Sequence, residues 1–129
     1  MRDSNYLHSH LTDQIIRAFY NVYNHLGFGF LEKVYENAMI VELVEMGLIV
    51  EQQKKVDVYY KDNNVGHYLS DLIVENKVII EVKAAENICP EHECQLINYL
   101  KASDKEVGVL LNFGKHPGVK RKIFTNNRK

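Results

Sequence analysis

The sequence predicts a mixed α/β (α+β) domain with elements in the order α-α-β-β-β-α-β-β, a central mixed sheet flanked by helices. Three observations point there. A helical period of about 3.6 residues governs the first third of the chain. A strand-like alternation replaces it after Gly47, and a short apolar run, Val107 to Asn112, follows one further helical segment.

Each element has its own signal. Leu11, Ile15, Phe19, Val22 and Leu26 fall on one helical face, with Ile16 and Tyr23 beside them, so a helix is expected from about Thr12 to His25. Gly27 stands where a left-handed residue closes such a helix. A second helix is expected from about Leu31 to Met46, with Leu31, Val34, Ala38 and Val41 inward and Gly47 as its stop. Val56, Val58 and Tyr60 then alternate with Asp57, Tyr59 and Lys61 in a strand, and Asp62-Asn63-Asn64 reads as a turn. Val65 to Val74 and Val78 to Ala84 form the next two strands. Pro90 suits the first turn of a third helix. Val107 to Asn112 fits a buried strand, and Val119 to Thr125, after the Pro117-Gly118 turn, an edge strand.

Bulk properties narrow the function classes. A chain of 129 residues has room for one core, and residues 1–129 are read as a single domain. Its 46% hydrophobic and 26% charged residues are those of an ordinary globular protein, which excludes a disordered or fibrous chain. No apolar run is long enough to span a bilayer and the first residues lack a secretory apolar core, so no membrane is expected. Two cysteines, Cys89 and Cys94, make no disulfide framework, which points to a reducing cytoplasm. The net charge of -1 favours no polyanion. Its distribution is uneven, because the charged residues from Lys115 onward are all basic. Lys115, Lys120, Arg121 and Lys122 are therefore candidate nucleic-acid-binding residues, although a solvated terminus is the simpler account of a lone basic tail.

Two acids and a lysine stand inside segments that otherwise read as buried strand: Asp71, Glu81 and Lys83. Burying such charges costs several kcal/mol or more unless they are paired. A divalent cation between the acids offsets that cost, and such a site can cleave phosphodiesters. Register decides whether the acids meet. If Glu75-Asn76-Lys77 is a three-residue loop, Asp71 opposes Glu81 and Lys83 shares their face; a two-residue loop places Glu81 on the other side. Mg²⁺ or Mn²⁺ would take Asp71, Glu81 and the carbonyl of Val82, while Lys83 would serve the attacking water. Taken alone the pattern is weak, because an acid two residues from a lysine occurs on many wet strand faces.

Two further segments add weight. Gly29-Phe-Leu-Glu32-Lys-Val-Tyr35 opens the second helix with Glu32 and Tyr35 on one face; helix capping is the bland role for Glu32. Gln95 and Tyr99 lie one turn apart on the third helix, where they could position water or phosphate or form a polar patch over the sheet. Cys89, His92 and Cys94 do not follow a zinc spacing and have no evident fourth ligand. Tyr59, Tyr60 and Tyr68 could stack on bases, but packing within the sheet is the simpler role.

Together these residues resemble the GxxExxY family of the PD-(D/E)xK nuclease superfamily, from about Asp13 to Phe124. Gly29, Glu32 and Tyr35 carry the likeness, with Asp71, Glu81-Val-Lys83, Gln95-x-x-x-Tyr99 and the segment Gly108 to Gly114. Ser70 stands where the superfamily pattern has proline, a departure that is common. The resemblance implies a restriction-endonuclease-like core and metal-dependent cleavage of nucleic acid, first of all DNA. It implies catalytic roles for Asp71, Glu81, Lys83, Gln95 and Tyr99, and makes Glu32 the counterpart of an upstream helical acid that joins the metal ligands. So small a nuclease is also expected to grip a duplex as a homodimer. The alternative is a non-catalytic nucleic-acid-binding or dimerising module that keeps the fold.

Overall fold

The computed structural model describes residues 7–129, so the opening segment read for a secretory signal lies outside the described residues. Helices α1 (Ser9–Leu26) and α2 (Glu32–Glu45) precede a meander of β1 (Val50–Tyr60), β2 (Asn63–Val74) and β3 (Val78–Lys83). Helix α3 (Pro90–Ala102), β4 (Val107–Asn112) and β5 (Gly118–Ile123) follow, and a short 3₁₀ turn spans Asn126–Arg128. This is the expected order.

The sheet runs β1-β2-β3-β4-β5, antiparallel except for the β3–β4 pair, which is parallel. Parallel neighbours need a crossover, and α3 supplies it. Alternation then divides the core. Leu72, Val74, Val78, Ile80, Val82, Val107, Val109 and Leu111 face α1 and α2, packing with Ile15, Phe19, Tyr35, Met39 and Leu43. Ile73, Ile79 and Leu110 face α3, under Leu96 and Leu100.

Helix α2 corrects one expectation. Its buried residues are Tyr35, Glu36, Met39 and Leu43, whereas Leu31 (80% exposed), Val34 and Val41 stand in solvent. Apolar residues occur nearly all round this helix, so periodicity selects no face. Packing does, because the Tyr35 ring stacks on Phe113 at 4.3 Å between centroids. The β1–β2 turn also shifts. Lys61 and Asp62, with φ of 49° and 63°, make a two-residue hairpin turn, and Asn63 and Asn64 join β2. Two central residues with positive φ match the twist of the flanking strands.

Candidate active site

The loop between β2 and β3 has the three residues that the site requires. Val74 pairs with Val78, Ile73 with Ile79 and Leu72 with Ile80, leaving Glu75, Asn76 and Lys77 as the turn. Glu75 and Asn76 take positive φ (53° and 54°), and the Glu75 carboxylate accepts the Ile49 N–H at 2.6 Å, which pins the turn to the start of β1. One step further along this register, Asp71 stands opposite Glu81. The ladder opens there: Asp71 Oδ2, rather than a backbone carbonyl, accepts the Val82 N–H at 2.8 Å. Asp71, Glu81 and Lys83 follow Ile73 and Ile79 at two-residue steps and so lie on the α3 side. The Lys83 carbonyl accepts the Phe113 N–H at 2.8 Å, across β4. Val82, one residue back, therefore turns its N–H and C=O toward the opened β2 edge.

Glu81 is only 6% exposed, and its Oε1 is buried with no hydrogen-bond partner. Burial, then the charge of Asp71, push its carboxyl up to about 9. Burial also raises Asp71, the Val82 N–H opposes that, and the carboxylate of Glu36 raises it again. The phenols of Tyr68 and Tyr99 are pushed up by burial first and by Glu81 second. Among the described residues no three His, Cys, Asp or Glu side chains form a metal-binding group. Two carboxylates forced together out of water, one with an unsatisfied oxygen, are nonetheless a donor set that suits a hard divalent cation.

Two acids of α2 approach this region, Glu32 beyond the end of β3 and Glu36 within reach of the charge of Asp71, and they are held differently. Glu32 is exposed, and its Oε2 accepts the Ala84 N–H at 3.4 Å, beyond the end of β3. Glu36, one turn further along α2, is buried. Its Oε1 takes the side-chain amides of Gln52 (3.0 Å) and Gln53 (2.8 Å) and the Lys33 ammonium (3.5 Å). Gln52 pairs with Leu72 and Lys54 with Ser70, so Gln53 lies beside Asp71. Strict alternation would aim Gln53 away from α2, but its φ of 53° turns the side chain back to Glu36. A positive φ in a strand leaves no trace in composition or periodicity, so nothing in the residue pattern singled out Glu36.

The remaining expected residues separate. Gln95 is exposed on α3. Tyr99 lies half-buried, stacked on Tyr68 at 3.6 Å and 10°, and the Tyr68 hydroxyl donates to the Tyr99 carbonyl at 2.8 Å. The basic residues of the tail lie on both faces of the sheet. Arg121 donates to the Leu7 carbonyl on the α1 side, away from the carboxylates, because alternation along β5 sends it there. Lys122 is paired with Glu93 of α3 at 2.6 Å. Lys115 and Lys120 remain exposed. Cys89, His92 and Cys94 open α3, where the Cys89 N–H donates to His92 Nδ1 at 3.4 Å.

A sequence profile described as the PD-(D/E)XK nuclease superfamily matches residues 9–122, most of the chain. The chain belongs to the PD-(D/E)XK nuclease superfamily. Its mixed five-stranded sheet with helices on both faces is the restriction-endonuclease-like fold. Solved structures share that fold. An alkaline exonuclease (LHK-Exo) from Laribacter hongkongensis is 13% identical with a TM-score of 0.56, covering 74% of this chain and 57% of its own. The protein SSO0001 is 15% identical with a TM-score of 0.54, covering 72% of this chain and 50% of its own. This chain thus spans about half the length of each. No curated protein matches it in sequence.

Within this superfamily member, Gly29 and Tyr35 serve the framework. The Tyr35 hydroxyl donates to the Gly27 carbonyl at 2.7 Å and accepts the Phe30 N–H at 3.2 Å, closing the loop in which Gly29 takes a φ of 111°. Asn112 holds the other side. Its side chain makes two 2.9 Å hydrogen bonds to the Ala85 backbone, and Gly114 passes so close that a Cβ would meet Ala85 O at 1.8 Å. The first device shapes the loop between α1 and α2, and the second fixes Ala85, just past the end of β3 where Lys83 emerges.

Proposed function

We propose that this chain, acting as one domain, is a metal-dependent nuclease that hydrolyses phosphodiester bonds of nucleic acid, DNA before RNA, in the cytoplasm. We place it in the GxxExxY family on the strength of Gly29, Glu32 and Tyr35. The observation that carries the reading is Asp71 opposite Glu81 at the point where the β2–β3 ladder opens, with a buried Glu81 oxygen unpartnered and Lys83 two residues on.

Mg²⁺ or Mn²⁺ is the cation proposed, held by Asp71, Glu81 and the Val82 carbonyl; when bound it acidifies water and neutralises charge on the phosphate under attack. Glu36 replaces Glu32 as the acid from the upstream helix. Its Oε1 is occupied by Lys33, Gln52 and Gln53, none of which binds Oε2, the oxygen proposed to serve the site. Lys83 orients the attacking water or stabilises the charge that develops on the phosphate. Gln95 and Tyr99, on the α3 wall, position water and the flanking phosphate. Lys115 and Lys120 are the exposed cations offered to the backbone.

Purified protein incubated with labelled single- and double-stranded DNA and RNA should cleave only when Mg²⁺ or Mn²⁺ is added. Lys83→Ala should lose at least about a hundredfold in rate, the scale of one lost electrostatic contact in the transition state. Cleavage unchanged in that variant would reject the assignment. A non-catalytic module remains the second reading, favoured by the lack of a three-acid metal-binding group among the described residues. It predicts binding of nucleic acid indifferent to metal and no cleavage under any condition.

A further inference from the structure

We propose, resting on the nuclease reading, that the groove between the β1–β2 hairpin and α3 binds an unpaired nucleobase beside the carboxylate pair, making a single strand or frayed end the substrate. The groove measures about 510 Å³, and its walls include Val58, Tyr59, Tyr68, Asn98, Tyr99 and Lys101. It adjoins the site through both of its walls. Tyr99 lies one turn along α3 from Gln95, about 6 Å on the helix axis, and Tyr68 is three residues from Asp71 on β2. The same closeness lets the charge of Glu81 reach both phenols.

The floor is built before any ligand arrives. Tyr68 is locked by its stack on Tyr99 and by its hydrogen bond to the Tyr99 carbonyl, so neither ring must be ordered on binding. Packing explains that pair but not Tyr59, which is 63% exposed on the hairpin just past a β-bulge at Val58/Tyr59. An aromatic face in solvent beside a preformed aromatic floor suits a flat, weakly hydrated ring. Asn98, exposed on α3, offers a donor and an acceptor for a base edge, and the Lys101 ammonium, 5.3 Å from the centroid of the Phe124 ring, lies at the groove wall as a charge for a phosphate. A base inside a duplex has both faces covered by its neighbours and cannot stack on tyrosine, whereas a single strand presents its bases.

The test is fluorescence anisotropy of labelled single-stranded DNA, single-stranded RNA and blunt duplex in EDTA, using wild type, Tyr59→Ala, Tyr59→Phe and Asn98→Ala. Tyr59→Ala should weaken single-strand binding about tenfold, and Tyr59→Phe should stay within about twofold because the ring is kept. Duplex binding should not change in either. Thermal melts of both variants, exposed on the hairpin, should match wild type; if Tyr59→Ala melts early, Asn98→Ala carries the comparison. Equal single-strand affinity in wild type and Tyr59→Ala, or no preference for single strands in wild type, overturns the groove. Neither arm needs metal or turnover, so the groove can fail while cleavage stands, and cleavage can fail while the groove stands.

Discussion

Ionising Glu81 in the metal-free protein sets a second negative charge beside Asp71 with almost no water to screen it. Its carboxyl is raised from 4.5 to about 9 in the folded chain, so between those values the folded state holds a proton that the unfolded state has released. Stability contributed by the neutral form is complete below pH 4.5 and is lost as pH rises through about 9. The melting temperature of metal-free protein should therefore fall across that window, and Glu81→Gln should flatten the decline. A melt series in chelator checks this, and equal slopes in both proteins would deny the shift. The opposition of Asp71 and Glu81 was legible in the sequence only as one of two registers, because either a two- or a three-residue loop could join β2 to β3 and the Val74–Val78 pair decides between them. The proposed role of Glu36 in place of Glu32 was not, since the two acids lie one turn apart on α2 and only the φ of Gln53 gives Glu36 a bond from beside Asp71.

At the level of elements, β1 stores conformational strain in order to reach α2. A residue other than glycine at a φ of 53° costs about 1–3 kcal/mol, and the hydrogen bond from Gln53 to buried Glu36 offsets part of that. Gln53→Gly removes both the strain and the bond. Its chemical-denaturation stability should stay within about 1 kcal/mol of wild type, while its affinity for Mn²⁺ should drop because Glu36 is then held by Gln52 and Lys33 alone. Loss of stability with affinity intact would mean that Gln53 serves the fold alone. Element type and order were readable throughout, since strand alternation and the helix stops are local signals. The inward face of α2 was not: Leu31, Val34 and Val41 make as good a stripe as Tyr35, Met39 and Leu43, and the Phe113 partner that decides lies far along the chain.

Across the whole molecule, the sheet divides the basic residues of β5 between its two faces. Lys120 and Lys122 share the α3 side with the carboxylates, whereas Arg121 ties β5 to the segment before α1. Lys120→Ala should weaken nucleic-acid binding evenly across sequences and lower the salt-dependence slope by about one. Arg121→Ala should instead lower the melting temperature and leave that slope alone, a contrast read from binding at graded ionic strength beside thermal melts. A run of basic residues in sequence could not reveal this, because alternation along a strand sends neighbours to opposite faces. Dimerisation stays a proposal of size alone, and no helix among the described residues is long and apolar enough to cross a membrane.

Calorimetric titration of Mn²⁺ into wild type and Glu81→Gln at neutral pH bears most directly on the carboxylate pair. Wild type should bind one ion with release of a proton from Glu81, seen as a buffer-dependent heat, and the variant should bind at least about tenfold more weakly. Equal binding in the two proteins, or none in wild type, would contradict it.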